Sequence, residues 1–114
     1  MLNNKKIRIG IALVDNKTIK VFNKKFLKVA TETDVISFNI DEKAPDGFYL
    51  LGDVLVSLDQ VKKQASQFNA TEAEELARVV AHGVLHLLGY EDKTPQEQKK
   101  MRNLENKIVS SIQK

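Results

Sequence analysis

The sequence predicts a single α/β (α+β) domain: a small mixed β-sheet with helices packed mainly on one face, one of them a buried central helix. Three observations predict it. Apolar residues alternate with others over residues 7–14, the period of a half-buried strand. Two β-rich stretches, Val35 to Ile40 and Phe48 to Ser57, flank the turn signal Pro45-Asp46-Gly47. The rest of the chain carries three helix-start signals of one kind, at Ser57, Thr71 and Thr94.

In the first stretch Ile7, Ile9, Ile11 and Leu13 share one face. Asp15 suits the N-cap of a helix over about 16–28, because a short carboxylate accepts from backbone N–H groups left free in the first turn. Ile19, Phe22 and Phe26 line its apolar face, and Lys17, Lys20, Lys24 and Lys28 lie on the other. That helix separates the first strand from the second, so these two are expected to run parallel with a right-handed crossover. The turn at Pro45 makes the second and third strands an antiparallel hairpin. Ser57-x-x-Gln60, Thr71-x-x-Glu74 and Thr94-Pro95-x-Glu97 then open three helices, the last with proline at the first helical position, where no N–H is needed. In the final helix Met101, Leu104, Ile108 and Ile112 recur on one side, and Glu97 is read as a cap.

The 114 residues suit one domain, taken as 1–114, with a modest core. Apolar content of 42% and charged content of 29% are those of an ordinary globular chain. No apolar run approaches the roughly 20 residues that cross a bilayer, so no membrane partner is expected. The opening Met1-Leu2-Asn3-Asn4-Lys5-Lys6 is too polar for a signal peptide, and a cytoplasmic location is expected. The absence of cysteine excludes disulfides, iron–sulfur clusters and thiolate zinc sites, leaving nitrogen and oxygen ligands. A net charge of +3 and a pI near 9.1 mildly favour anionic partners such as RNA.

The central helix, about 71–89, carries both histidines of the chain, His82 and His86. From Leu76 to Leu88 it is apolar nearly all round, which predicts burial on every side. Residues four apart on a helix have Cβ atoms roughly 5–6 Å apart, so the two imidazoles can share one ion. Buried imidazoles also require partners, since unpaired polar groups are costly in an apolar setting. Gly89 suits the left-handed residue that ends a helix, after which Asp92 can fold back toward the histidines. His-x3-His-x5-Asp gives three protein ligands with one position open, the form of a catalytic zinc site. Glu91, with a longer reach, is the alternative carboxylate. Taken alone, a histidine pair of this spacing is more often structural than a site. A zinc-protease reading is disfavoured, because Gly83 stands where that motif has its glutamate.

The run His82-Gly83-x-Leu85-His86-Leu87-x-Gly89-Tyr90 resembles the signature of the YbeY endoribonuclease (rRNA maturation factor) family. The likeness extends to Thr33-Asp34-Val35-Ile36-Ser37-Phe38, to Leu51-Gly52-Asp53-Val54-Leu55-Val56-Ser57, and to Glu97, Met101 and Glu105. It implies a single-domain, metal-dependent, single-strand-specific endoribonuclease of rRNA maturation and ribosome quality control, with one divalent ion, foremost Zn2+. The resemblance puts the metal ligands on His82, His86 and Asp92. Implied partners are the 16S rRNA precursor in the small ribosomal subunit, a ribosomal protein and a ribosome-associated GTPase.

Three departures accompany it. The family's third ligand is histidine where this chain has Asp92, preceded by Glu91 in place of aspartate. The family arginine falls on Leu27. The chain also begins at what would be the family's second strand. Lys28, beside Leu27, and Arg78, one turn before His82, are the candidate phosphate contacts, although a solvated lysine face and an Arg78 pair with Glu74 or Glu75 are the plainer readings. The alternative function is a non-catalytic, metal-stabilised ribosome-assembly or RNA-binding factor.

Overall fold

The computed structural model describes residues 6–27 and 33–112. Strand β1 (Ile7–Val14) leads into helix α1 (Asn16–Phe22) and a π-helical turn, Asn23–Leu27. Strands β2 (Val35–Lys43) and β3 (Tyr49–Ser57) follow, then α2 (Leu58–Gln67), α3 (Glu72–Leu87) and α4 (Pro95–Ile112). The expected mixed sheet with helices is present, and each anticipated cap forms. Asp15 accepts from the Thr18 N–H at 2.8 Å, and Ser57 from the Gln60 N–H at 3.3 Å. Thr71 and Glu74 bond each other's backbone reciprocally, as do Thr94 and Glu97.

The strand order corrects one expectation. β1 pairs with β3 in parallel, and β2 pairs with β3 antiparallel, giving the order β1-β3-β2. The first two strands are therefore not neighbours and do not run parallel. β3 is the strand that can be buried on both faces: Leu51, Gly52 and every residue from Val54 to Ser57 are buried. A strand of that kind takes the centre, and β1 is left at an edge.

Alternation in β3 divides the core. Val54 and Val56 face Val61 of α2 and Val79 and Leu87 of α3, while Leu55 faces the other way, toward Ile36 and Ile19 of α1. So α2 and α3 cover one face, with α4 packed outside against α3, and α1 covers the other. Because α3 crosses β2 and β3 rather than β1, Ile11 and Leu13 stay about half exposed, against the expectation of one buried face.

The crossing is close. A Cβ on Gly83 would stand 2.6 Å from Val54 Cγ1 and 2.9 Å from Val35 Cγ2, so glycine lets the helix reach the sheet. Ser37 Oγ donates to the Gly83 carbonyl at 2.8 Å, and Asn39 Nδ2 to the Leu87 carbonyl at 3.0 Å, which ties α3 to β2 on both sides of His86. Burial of α3 is not complete on all sides as expected: Leu76, Val80 and Val84, with Ile108 of α4, line an open apolar groove.

Candidate metal centre

His82 and His86 project from the last two turns of α3. Their ring centroids are 4.5 Å apart with planes at 78°, and their Nε2 atoms are 3.0 Å apart. Beyond Leu88 the helix stops in a Schellman turn: Gly89 adopts φ 99°, its N–H bonds the His86 carbonyl, and the Tyr90 N–H bonds the Leu85 carbonyl, each at 3.0 Å. The chain then reverses into α4. Glu97 accepts from the Lys93 and Thr94 N–H groups, and Gln98 Nε2 donates to the Asp92 carbonyl at 3.0 Å. Asp92 is thus fixed from both ends, and its Oδ2 lies 3.5 Å from His82 Nε2 and 3.6 Å from His86 Nε2.

These three atoms could hold a metal ion. Their mutual distances average about 3.4 Å. Ligands about 2.0–2.1 Å from a tetrahedral ion stand roughly 3.3–3.4 Å from one another, so the triangle suits an ion bound on three corners. The donor set, two neutral imidazoles and a carboxylate, is one that divalent ions of this kind accept. Glu91 is not part of it: its side chain is 56% exposed and lies 3.7 Å from Lys93 Nζ.

A residue to which the sequence reading gave no role completes the centre. Glu105 of α4 is buried, and its Oε2 accepts a hydrogen bond from His82 Nδ1 at 2.7 Å. That contact pushes the His82 imidazole above its ordinary range; burial pulls the other way, and Asp92 adds to the rise. A proton held on Nδ1 leaves the Nε2 lone pair pointing at Asp92 and His86, which is the tautomer a metal needs. The signal in the sequence was a carboxylate four residues after Met101. Met101, Glu105 and Val109 are all buried, whereas Leu104 and Ile108 are only partly so; the inward face of α4 is turned from the expected one.

Arg78 lies one turn before His82, as expected, and makes no close ion pair with Glu74 or Glu75, although its charge acts on the buried Glu75 carboxyl. Its Nη1 donates to Asn106 Oδ1 at 2.6 Å and stands 3.8 Å from Glu105 Oε1. Lys28 lies outside the described residues. Lys17, Lys20 and Lys24 are exposed on the α1 side of the sheet, across from α3. His82, Asp92, Gln98, Met101, Arg102 and Glu105 line a cleft of about 270 Å³ that opens onto the ligand atoms.

Three convergent ligand atoms, an open side and a carboxylate behind one imidazole, on a small α/β scaffold, are the parts used by mononuclear metallohydrolases. The comparison with known proteins narrows this class. The family model described as endoribonuclease YbeY matches residues 1–113. Proteins named endoribonuclease YbeY from Persephonella marina and Aquifex aeolicus are 42% and 38% identical to this chain. They match 97% and 99% of it and 74% of their own lengths. The solution structure of TM1509 from Thermotoga maritima is similar with a TM-score of 0.63 at 31% identity, over 91% of this chain and 67% of that one. The chain belongs to the endoribonuclease YbeY family.

Proposed function

We propose that this protein is an endoribonuclease that cleaves single-stranded RNA with one divalent ion, zinc, held by His82 Nε2, His86 Nε2 and Asp92 Oδ2. The observation that carries the reading is the ligand triangle with Glu105 hydrogen-bonded behind His82. Family membership supplies the reaction, hydrolysis of an RNA phosphodiester. When bound, the ion acidifies water and polarises a phosphoryl oxygen. The protein's own work is positional. Glu105 sets the His82 tautomer, Ser37 and Asn39 hold the helix that carries both rings, and Gln98 fixes the loop that carries Asp92. Arg102 borders the cleft and Arg78 the neighbouring hollow that reaches His82, and both supply positive charge toward a phosphate.

Asp92 in place of the family's histidine lowers the charge of the ion plus its ligands by one unit, which favours a less acidified water and a weaker pull on the phosphodiester. Zinc is favoured over harder ions by the two imidazoles and by the tetrahedral spacing of the triangle. Among the described residues no helix is long and apolar enough to cross a membrane. The finer partners, a 16S rRNA precursor, a ribosomal protein and a ribosome-associated GTPase, rest on the family resemblance.

The test is cleavage of a single-stranded RNA by purified protein with and without chelator. Chelation and His86→Ala each abolish cleavage; activity that survives both overturns the proposal. Leu27 at the family's arginine position favours a second reading, a metal-stabilised assembly factor that binds RNA without cutting it. Under that reading Leu27→Arg gains cleavage that the natural chain lacks.

A further inference from the structure

The cleft over the ligand atoms does not end at Glu105. Arg102 lines it and also a second hollow, of about 340 Å³, bordered by Phe68, Arg78 and Asn106. Phe68 also borders a third, which reaches back to His82. The three share Glu105 in their linings and follow one another from His82 and Asp92, along α3 and α4, to the end of α2; together they are termed the groove.

Phe68 is out of place in a chain that otherwise keeps its described aromatic side chains at least partly covered. The residue is 69% exposed, the most of any large apolar residue among those described. Nor is it carried on a loose loop. α2 ends in a Schellman turn, with Asn69 at φ 55°, the Asn69 N–H on the Ser66 carbonyl and the Ala70 N–H on the Ala65 carbonyl at 2.9 Å. The surroundings are polar: Gln64, Glu75, Arg78 and Asn106 border the same hollows. An isolated ring among polar groups does not make the contiguous apolar patch that a protein partner requires. Arg102 is exposed and has no ion-pair or hydrogen-bond partner among the described residues. Glu75 and Glu105 are buried beneath the groove, the latter bonded to His82, and Asp34 and Asp92 are the other acids along it.

We propose that Phe68 is a stacking platform for a nucleobase of single-stranded RNA flanking the bond that is cut, and that Arg102 holds a phosphate of the same strand between the platform and the metal centre. A flat exposed ring beside an unpaired guanidinium, continuous with a hydrolytic centre, has the chemistry that binds a base and its backbone together, and stacking of this kind tolerates any base. The identity of the strand rests on the endoribonuclease reading; the platform itself does not depend on catalysis.

Binding of a fluorescein-labelled oligouridylate to chelated full-length protein, followed by anisotropy, tests it. Phe68→Ala weakens binding by about 5- to 150-fold, Phe68→Leu weakens it similarly although it keeps apolar bulk, and Phe68→Trp restores it. An oligonucleotide carrying abasic sites binds the natural protein weakly and loses nothing further with Phe68→Ala. Arg102→Gln lowers the slope of log affinity against log salt by about 0.7, the share of one phosphate on a single strand, and Phe68→Ala leaves the slope unchanged. Phe68→Leu binding as tightly as phenylalanine, or an abasic strand still sensitive to residue 68, overturns the platform. A natural protein that cleaves single-stranded RNA when metal-loaded but binds no oligonucleotide when chelated overturns the platform and leaves the endoribonuclease reading standing. Binding that depends on Phe68 without cleavage overturns only the latter.

Discussion

A carboxylate behind an imidazole decides which ring nitrogen faces an ion, and Glu105 holds that position here, 2.7 Å from His82 Nδ1. Replacing it removes the acceptor that keeps the proton on Nδ1, and the free ring shifts toward the tautomer with the proton on Nε2, where the metal must bind. Glu105→Ala is expected to lower zinc affinity about 10- to 100-fold, as losses of such outer partners do. Metal competition titration measures the loss, and 15N shifts of the His82 ring report the tautomer in the metal-free protein. An unchanged tautomer with unchanged affinity would rule the role out. The clustering of His82, His86 and Asp92 was legible from spacing, since i, i+4 geometry and a glycine stop are local properties. Glu105 was not, because its partner is 23 residues away on another helix and only the packing angle between α3 and α4 brings them together. Phe68 escaped notice for a similar reason: no local pattern distinguishes an exposed phenylalanine at a helix end from a buried one.

At the scale of elements, α3 must do two things at once: lie against the sheet and present both rings at its end. Gly83 permits the first. Gly83→Ala places a Cβ 2.6 Å from Val54 Cγ1 and 2.9 Å from Val35 Cγ2, and overpacking of this kind costs about 1–3 kcal/mol. Since Gly83 sits between the two histidines, α3 lifts where they leave it, so zinc affinity falls along with the urea midpoint. Thr71→Ala is the contrast. Losing the capping box at the far end of the same helix costs about 1 kcal/mol and leaves zinc affinity unchanged. A zinc affinity that follows stability equally in both variants would show that the stability of the helix, not the local lift, is what matters. Every cap and both helix-ending glycine or asparagine turns obey local rules, which is why the helix starts could be read from residues alone. Strand order could not. Which strand takes the centre depends on burial of both faces by helices distant in sequence, and β3, not β1, has those partners.

At the scale of the whole molecule, the proposed ligand role of His82 links metal, proton and fold through one ring. The Glu105 contact raises His82 above its ordinary range, so in the metal-free protein the protonated ring favours the fold. The sign follows from that direction: this contribution is full below the unfolded imidazole value, near about 6.5, and is lost as pH rises through the raised folded value. The ion works in the opposite sense, because it binds only the ring that has released its Nε2 proton. Through this ring, acid favours the empty protein and opposes the proposed ion, while alkali does the reverse. A ligand at about 100 times its dissociation constant adds about 2.7 kcal/mol of stability, so saturating zinc should give a clear rise in Tm at about pH 8 that shrinks toward about pH 6. Thermal melts with zinc and with chelator across this range measure the gain. Glu105→Gln, whose amide oxygen can still accept from Nδ1 but carries no charge, should move the midpoint of the gain to lower pH. A zinc-induced gain independent of pH, or a midpoint unmoved by Glu105→Gln, would disconnect the ion from His82 and with it the assignment of this ring as a ligand.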